Sequence, residues 1–123
     1  MKSILIVDDH ADIRRLIRLT LEFEDYDIRE AADGATALRM AAERLPDLVL
    51  LDVMMPGGVS GIDVCRQLRA GCTSASPRII MLSARGQASD REAGLAAGAD
   101  LYLVKPFSPL QLIDCIAGLW APA

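Results

Sequence analysis

The stretch LVLLDVMMP, residues 48–56, decides the fold. It opens with four apolar residues in a row, which is typical of a parallel strand that other elements cover on both faces. Similar short runs recur roughly every 20 to 25 residues, and this spacing favours repeated strand–helix units. The five predicted strands are Ile4–Val7, Asp27–Ala31, Leu48–Leu51, Ile79–Leu82 and Leu101–Val104. The second strand contains Arg29 and Glu30 and is predicted to lie at an edge of the sheet.

Stretches with helical periodicity separate the strands. Asp33 is predicted to cap the second helix, the third begins near Ser60, the fourth spans Ser89 to Ala97, and the fifth begins at Ser108. The residues predicted to face the core are Ile13, Leu16, Ile17, Thr20 and Leu21 in the first helix, Ala37, Leu38, Ala41 and Leu45 in the second, Ile62, Cys65 and Leu68 in the third, and Leu112, Ile113, Ile116 and Leu119 in the fifth. We therefore predict one α/β domain over residues 1–123, with a flavodoxin-like, doubly wound sheet of five parallel strands in the order 2-1-3-4-5 and five helices.

The composition of the chain disfavours several classes of protein. Its 123 residues suit one domain, and no apolar run approaches the roughly 20 residues of a membrane span. Asp8 and Asp9 interrupt the first apolar run too early for a signal peptide, so a cytoplasmic location is expected. The net charge of −4 disfavours nucleic-acid binding, and the cluster Arg14, Arg15 and Arg18 is interpreted as a solvated helix face. Three cysteines without a C-x-x-C pair predict neither a disulfide framework nor a zinc site.

Polar residues follow four of the five predicted strands. Asp8 and Asp9 follow the first strand, Asp52 follows the third, Ser83 the fourth and Lys105 the fifth. The carboxyl ends of parallel strands lie at the same edge of a sheet, and ligands bind there where the strand order reverses. We therefore expect these side chains to meet at one site.

Three converging carboxylates repel one another and favour a bound cation. Oxygen ligands with room for water suit Mg²⁺, with Mn²⁺ as an alternative. Lys105, one of two lysines in the chain, supplies a compact positive charge of the kind found at phosphate sites. Taken singly, Asp8 and Asp9 fit a helix cap equally well, and Asp52 fits a turn residue better. Their joint placement at the strand ends favours the functional interpretation.

With these residues identified, the sequence resembles the bacterial two-component response-regulator receiver family over essentially its whole length. The motifs that carry the resemblance are Ile-Val-Asp8-Asp9, Leu-Leu-Asp52-Val-Met-Met-Pro56, Met-Leu-Ser83-Ala84 and Lys105-Pro106-Phe107. The resemblance implies a phosphorylation-dependent signalling switch with a fold like that of chemotaxis regulators. Such a switch catalyses its own phosphotransfer and dephosphorylation and turns over no outside metabolite. Its partners would be a sensor histidine kinase or phosphotransfer protein and a downstream effector, with no part for nucleic acid or a membrane.

The resemblance also implies roles for the acids. Asp52 would accept the phosphoryl group from a phosphohistidine. Asp9, Asp52 and the backbone carbonyl of Met54 would ligate Mg²⁺ directly, whereas Asp8 would act through water.

Further roles are implied for residues after the fourth and fifth strands. Ser83 and Lys105 would bind the phosphoryl group, and the Lys105–Pro106 peptide bond would be cis. Tyr102 occupies the aromatic switch position and would turn inward as Ser83 shifts. The fourth helix, fifth strand and fifth helix would form the output face.

Two departures from the family pattern bear on this expectation. The loop Gly57–Gly61 has one extra residue beside the metal-binding turn, and we expect the site to survive because glycine adapts easily. The ion-pair set of the transcription-factor branch is incomplete, since Arg91 is present but Gln111, Leu101 and Cys115 stand where charged residues are usual. Dimerisation through the output face is therefore left open.

Met54 and Arg85 stand two residues beyond the acceptor and two beyond the hydroxyl, where the family tunes dephosphorylation. A bulky apolar side chain and a long cation at these positions predict screening of the phosphoryl group from water. We therefore hypothesise a long-lived phosphorylated state.

Two other functions are alternatives. A receiver-like binding module that no longer uses phosphate would lack an acid, the hydroxyl or the lysine, and all are present. A phosphohydrolase of similar topology would need a second aspartate where Met54 stands, and a nucleotide or flavin protein would favour a glycine-rich phosphate motif that is absent. The chain is expected to be a stand-alone regulator or the N-terminal receiver of a longer one, and its opening Met-Lys-Ser favours a true N-terminus.

Overall fold

The computed structural model describes residues 2–55, 57–71, 77–84 and 88–120, and the side chains of all of these except 88–90 and 120. Strands and helices alternate along the chain. The strands are β1 (Lys2–Val7), β2 (Tyr26–Ala31), β3 (Leu48–Asp52), β4 (Arg78–Ser83) and β5 (Leu101–Val104). The helices are α1 (Ala11–Leu21), α2 (Gly34–Glu43), α3 (Gly61–Gly71), α4 (Ala88–Ala96) and α5 (Pro109–Trp120). Every predicted strand is present, with bounds close to the predicted ones.

All five strands are parallel, and their order in the sheet is β2-β1-β3-β4-β5. This order confirms the predicted fold and the edge position of β2. Every residue of the apolar strand β3 is buried, which its position between β1 and β4 requires. In β2 only Ala31 is buried, as its polar sequence predicts for an edge strand. The strand order reverses between β1 and β3, and this point marks the expected ligand crevice.

The sheet separates two apolar layers. Because successive side chains of a strand point to opposite faces, Leu5 and Val7 belong to one layer and Ile4 and Ile6 to the other. The first layer also contains the buried residues of α2 and α3, and the second contains those of α1 and α5. Burial of apolar side chains against the sheet therefore holds the helices, which are too short to be stable alone.

Three side chains predicted to face the core are exposed instead: Leu16, Leu45 and Ile113. Leu16 and Ile113 each lie beside a buried neighbour, Ile17 and Leu112, and a helix turns far enough between adjacent residues to carry them out of the buried stripe. Leu45 lies beyond the end of α2, so helical spacing no longer determines its direction.

Side-chain caps fix the beginnings of three helices. The Asp33 carboxylate accepts a hydrogen bond from the Thr36 backbone N–H at 2.7 Å, which confirms Asp33 as the cap of α2 and lowers its pKa. Ser108 and Gln111 form a reciprocal pair at the start of α5 (2.8 and 3.1 Å). Ser60 and Asp63 form the equivalent pair at α3, so this helix begins where the sequence predicts.

Within the described parts of the chain, no helix combines the length and the apolar character that crossing a membrane requires. The two cysteines that lie in these parts, Cys65 and Cys115, are both free thiols. The third, Cys72, lies outside the described residues.

Candidate functional site

The strand register brings four polar residues to one edge of the sheet. Val7 pairs with Leu51, so Asp8 follows β1 beside Asp52 at the end of β3. Ser83 ends β4, and Lys105 directly follows β5. The Lys105 N–H donates to the Ser83 carbonyl at 2.7 Å, which ties these last two strand ends together.

The carboxylates meet as predicted. Ligand atoms of Asp8, Asp9, Asp52 and the neighbouring His10 all lie within 4.8 Å of one another. Asp8 is fully buried and Asp52 almost so. Burial, followed by the charge of Asp8, raises the pKa of Asp52 from 3.8 to about 6, although Lys105 acts in the opposite direction. The free protein therefore carries uncompensated negative charge at this edge, which a cation would relieve.

Lys105 lies between two of these acids. Its Nζ atom is 2.7 Å from Asp8 Oδ2 and 3.5 Å from Asp52 Oδ1, and its side chain is only 15% exposed. The Lys105–Pro106 peptide bond is cis, as the family resemblance implies. The largely buried ammonium group of Lys105 thus connects the acid after β1 with the acid at the end of β3.

The oxygen atoms at this edge suit a divalent metal ion. Both oxygens of Asp8 already accept protein hydrogen bonds, one from Lys105 and one from the backbone N–H of His10. Asp9 Oδ1, by contrast, is buried and makes no hydrogen bond to any described residue, although His10 Nδ1 lies 3.2 Å from it. A buried carboxylate oxygen left without a hydrogen bond is the kind of atom that a hard cation would satisfy.

His10 belongs to this site, although the sequence interpretation assigned it no role. Its Nδ1 atom is 3.1 Å from Asp8 Oδ1 and 3.2 Å from Asp9 Oδ1. The hydrogen bond to Asp8, aided by the charge of Asp9, raises the pKa of the imidazole above its ordinary value of 6.5. The sequence held one signal that would have found it, since His10 is the only histidine in the chain and directly follows the acid pair.

The remaining predicted residues take different positions around the site. Ser83 is buried at the end of β4, while the Met54 side chain is largely exposed and its N–H points to Asp52 Oδ1 at 3.4 Å. Tyr102 lies on β5, partly buried and packed against the apolar layer that contains Met81. Arg85 and Pro56 lie outside the described residues.

The loop Gly57–Gly61, predicted to carry one extra residue, lies after β3 and ends at the first residue of α3. Gly57 and Gly58 both adopt positive φ angles, 90° and 79°, which glycine reaches without steric cost. Gly61 comes so close to the β3 end that an added Cβ would overlap the Asp52 carbonyl oxygen. Its N–H donates to the Val53 carbonyl at 3.0 Å, and this bond returns the chain to the strand end. The acids Asp8, Asp9 and Asp52 lie together beside this loop, and survival of the metal site despite the extra residue stays a prediction.

Arg14 and Arg18 have a structural task that the sequence interpretation missed. Their Nε atoms donate to the two carboxylate oxygens of Glu30 on β2, at 3.1 and 2.7 Å. Arg14 also donates to the backbone carbonyl of Asp8 at 2.7 Å. The interpretation of this cluster as a solvated helix face was therefore wrong for Arg14 and Arg18, because Glu30 on the edge strand lies within reach of both.

Residues of α4, β5 and α5, the elements predicted to form the output face, have local partners. The Arg91 guanidinium lies 5.8 Å from the centre of the Tyr102 ring, within reach of a cation–π interaction. Gln111 caps α5, as described above, and Leu101 is partly buried against the second apolar layer. Among the described side chains of α4, β5 and α5, the large exposed apolar ones are Leu95, Leu110 and Ile113.

This fold, with its acid pair, its central aspartate and its largely buried lysine at the switch point, defines the receiver class of signalling domains. The chain belongs to that family: the family model for the response regulator receiver domain matches residues 4–117. The chain is 52% identical over 111 residues to the transcriptional regulatory protein ResD of Bacillus subtilis, which covers 90% of this chain and 45% of that protein. It thus spans about half the length of the curated relatives it matches.

Solved structures show the same similarity. The chemotaxis response regulator CheY4 of Vibrio cholerae superposes with a TM-score of 0.89 at 32% identity, covering 97% of this chain and 98% of that one. The BeF3-activated N-terminal receiver domain of Klebsiella pneumoniae RstA superposes with a TM-score of 0.83 at 30% identity, covering 94% and 95%. Two-component signal transduction is therefore the setting in which this chain's site must be interpreted.

Proposed function

We propose that this chain is a switch that accepts a phosphoryl group on Asp52, in a Mg²⁺-dependent reaction, from a phosphohistidine of a sensor kinase or phosphotransfer protein. The observation that carries the proposal is the contact of Lys105 with both Asp8 and Asp52 beside the unsatisfied oxygen of Asp9. This arrangement offers a nucleophile, a cation for the incoming phosphoryl oxygens and a metal-binding acid within one small site.

The residues divide the reaction between them. A carboxylate oxygen of Asp52 attacks the phosphorus, and the bond from phosphorus to the donor nitrogen breaks, so that the donor imidazole keeps the electron pair. Lys105 already lies 3.5 Å from the attacking carboxylate and can follow the charge onto a phosphoryl oxygen. Ser83, at the end of the neighbouring strand β4, supplies a hydroxyl that can donate to a phosphoryl oxygen.

We assign the metal to Asp9, Asp52 and the backbone carbonyl of Met54, with Asp8 acting through water. The two engaged oxygens of Asp8 support its indirect role, and the unsatisfied oxygen of Asp9 supports direct ligation. A bound Mg²⁺ would neutralise the carboxylates and the developing charge on the phosphoryl oxygens. Without a cation, the raised pKa of Asp52 would leave a fraction of the Asp52 carboxyl groups protonated at about pH 6, and the protonated form is a poor nucleophile.

The output passes, in this proposal, through α4, β5 and α5. A phosphoryl group draws Ser83 toward the site, and Tyr102 moves inward into the space that this shift frees. Ser83 pairs with Val104 in the sheet, and Tyr102 lies two residues earlier on the same strand, so a shift of Ser83 is transmitted over a short distance. The downstream partner would be an effector domain or protein that recognises the altered face.

A receiver-like module that ignores phosphate is the second candidate. It is disfavoured because Asp8, Asp9, Asp52, Ser83 and Lys105 are all present, and such a module would have no use for a buried, mutually repelling acid cluster. An enzyme acting on an outside metabolite is not proposed, since the receiver family does not typically act as a metabolic enzyme.

A small acyl phosphate donor with Mg²⁺ tests the proposal directly. Intact-mass spectrometry should show the gain of one phosphoryl group by the unmodified chain and none by Asp52→Asn. A matched control is Asp25→Asn, which changes an exposed acid in the turn before β2 and should react normally. Modification of Asp52→Asn equal to that of the control, or failure of the unmodified chain under conditions that phosphorylate other receivers, would overturn the proposal.

We further propose that Met54 and Arg85 slow the loss of the phosphoryl group. The exposed Met54 side chain is at the mouth of the site, in a crevice of about 250 Å³ that Lys105 and Asp52 also line, and there it can screen the phosphoryl group from water. The double variant Met54→Asn, Arg85→Glu should therefore dephosphorylate faster than the unmodified chain. The decay of the phosphorylated mass after donor removal measures this, and an equal or slower decay in the variant refutes it.

A further inference from the structure

We propose that His10 is a nitrogen ligand of the divalent metal and gives this site a preference for ions that bind imidazole well, such as Co²⁺ or Ni²⁺, over Mg²⁺. The proposal deepens the proposed function, because it concerns the same metal site and fails if that site binds no metal. It adds a residue and a class of metal ion to a site otherwise built of oxygen atoms.

The spacing of the polar atoms supports this assignment. Ligands bound at about 2.1 Å around an octahedral ion lie about 3.0 Å apart when adjacent and about 4.2 Å apart when opposite. His10 Nδ1 lies 3.2 Å from Asp9 Oδ1, the oxygen assigned to direct ligation. The same nitrogen hydrogen-bonds Asp8 Oδ1 at 3.1 Å, and a metal ion bound to His10 would take the place of the proton in that bond. The four candidate atoms, including that of Asp52, lie within 4.8 Å of one another. The imidazole nitrogen thus has the spacing of a neighbour in one coordination shell.

The local backbone favours the same orientation. His10 occupies the N-cap position of α1, yet its side chain makes no capping hydrogen bond. Its backbone N–H instead donates to Asp8 Oδ1 at 2.9 Å, which fixes the residue beside the acids. The Asp9 oxygen that faces the His10 ring is Oδ1. This is the buried oxygen that makes no hydrogen bond to any described residue.

An imidazole changes which ion the site prefers. Carboxylate, carbonyl and water ligands suit Mg²⁺, whereas imidazole binds Co²⁺, Ni²⁺ and Zn²⁺ well and adds little for Mg²⁺. With oxygen ligands from the acids and one nitrogen from His10, we expect Mg²⁺ binding to be almost independent of His10. Binding of Co²⁺ should depend on it.

The competing explanation is that His10 only serves as a counter-ion for the acids. In that case a metal would displace the ring, and replacing His10 would make every divalent ion bind more tightly. The two explanations therefore predict opposite changes in Co²⁺ affinity for the variant His10→Gln.

Because His10 is the only histidine in the chain, any histidine nitrogen detected at the metal must be its own. Chain without an added histidine tag, produced with ring-¹⁵N-histidine or with unlabelled histidine, is loaded with Mn²⁺. Pulsed electron paramagnetic resonance then detects a nitrogen bound directly to the ion, and its signal should change with the isotope and vanish in His10→Gln. Calorimetric titration should show Co²⁺ binding about tenfold weaker in His10→Gln, with Mg²⁺ binding changed less than about twofold.

The control variant Asp9→Asn separates failure of this inference from failure of the proposed function. If metal binding depends on Asp9 but shows no histidine nitrogen, or if His10→Gln binds Co²⁺ as tightly as the unmodified chain or more tightly, the role of His10 is refuted and the metal site stands. If none of the three ions binds in an Asp9-dependent manner, both are refuted. An isotope-sensitive nitrogen signal together with selective loss of Co²⁺ affinity supports the proposal.

Discussion

At the carboxyl edge of the sheet, charged side chains are buried, whereas on the outer surface of α5 apolar side chains face solvent. Asp8 and Asp52 are 0% and 3% exposed, but Leu110 and Ile113 are 66% and 43% exposed. Each region thus departs from the usual distribution of polar and apolar residues. The two departures have different costs, because an unpaired buried charge destabilises a fold strongly and an exposed leucine hardly at all.

This difference separates the residues of the proposed phosphorylation site from the surface residues that would contact a downstream partner. The buried acids are tolerated only because Lys105, His10 and the backbone surround them, so their identity is tightly constrained. The outer surface of α5 constrains its residues little, so it is free to vary with the downstream partner. The two regions should therefore respond differently to matched substitutions.

The largest difference in unfolding free energy is expected when a cation is removed from the carboxyl edge of the sheet and, in a separate variant, one is added to the outer surface of α5. Lys105→Met leaves the buried carboxylate of Asp8 without its partner, and the free energy of unfolding of the metal-free protein should fall by about 3 kcal/mol. Leu110→Lys places a charge in solvent and should change it by less than about 0.5 kcal/mol. Equilibrium urea unfolding with a chelator present measures both, and similar losses at the two positions would break the comparison.

A somewhat smaller effect should follow from neutralising Asp52 in the metal-free protein. Since its pKa is raised from 3.8 to about 6, the folded state holds this proton more tightly than the unfolded chain does. Ionisation therefore weakens folding, and stability is lost as the pH rises through about 6. Asp52→Asn should stabilise the protein by about 2 to 3 kcal/mol above about pH 6.5 and by little below about pH 4.

Urea unfolding at a series of pH values, again with a chelator, measures this dependence. Asp25→Asn, at the exposed turn before β2, is the control and should leave the shape of the profile unchanged. A constant difference between Asp52→Asn and the unmodified chain at all pH values would contradict the expected linkage.

The smallest effects concern one glycine from each region. An added Cβ at Gly61 would overlap the Asp52 carbonyl, so Gly61→Ala should lower the free energy of unfolding by about 2 kcal/mol and also slow phosphorylation of Asp52. Gly118 lies exposed in α5, and among the described residues no atom beyond its own helix backbone and chain neighbours lies within 4 Å of such a Cβ, so Gly118→Ala should raise stability by about 1 kcal/mol.

Thermal unfolding and the acyl phosphate reaction distinguish the two glycines. Gly→Ala removes the same backbone freedom from the unfolded chain at both positions. A difference in the sign of the stability change must therefore come from the packing around each glycine in the folded protein. Stabilisation by Gly61→Ala, or destabilisation by Gly118→Ala, would mean that close packing does not distinguish the edge of the sheet from the surface of α5.

Local sequence was enough for the strands, the class of fold and the main acids of the site. Apolar runs such as Leu48–Leu51 mark buried parallel strands by themselves, and a parallel sheet necessarily gathers the residues that follow its strands at one edge. The sequence alone therefore predicts that Asp8, Asp52 and Lys105 meet, and the contacts of Lys105 with both acids confirm it.

Only the tertiary structure determines the contacts between side chains of different helices and strands, because those contacts depend on how the elements pack together. The sequence placed Leu16 and Ile113 on buried stripes, but the exact rotation of each helix on the sheet leaves them exposed. Likewise, the direction of the His10 ring, the pairing of Arg14 with Glu30 and the approach of Gly61 to the Asp52 carbonyl depend on how separate elements dock. Periodicity fixes which elements form, whereas distances of a few ångströms between elements are set by the packing of the whole core.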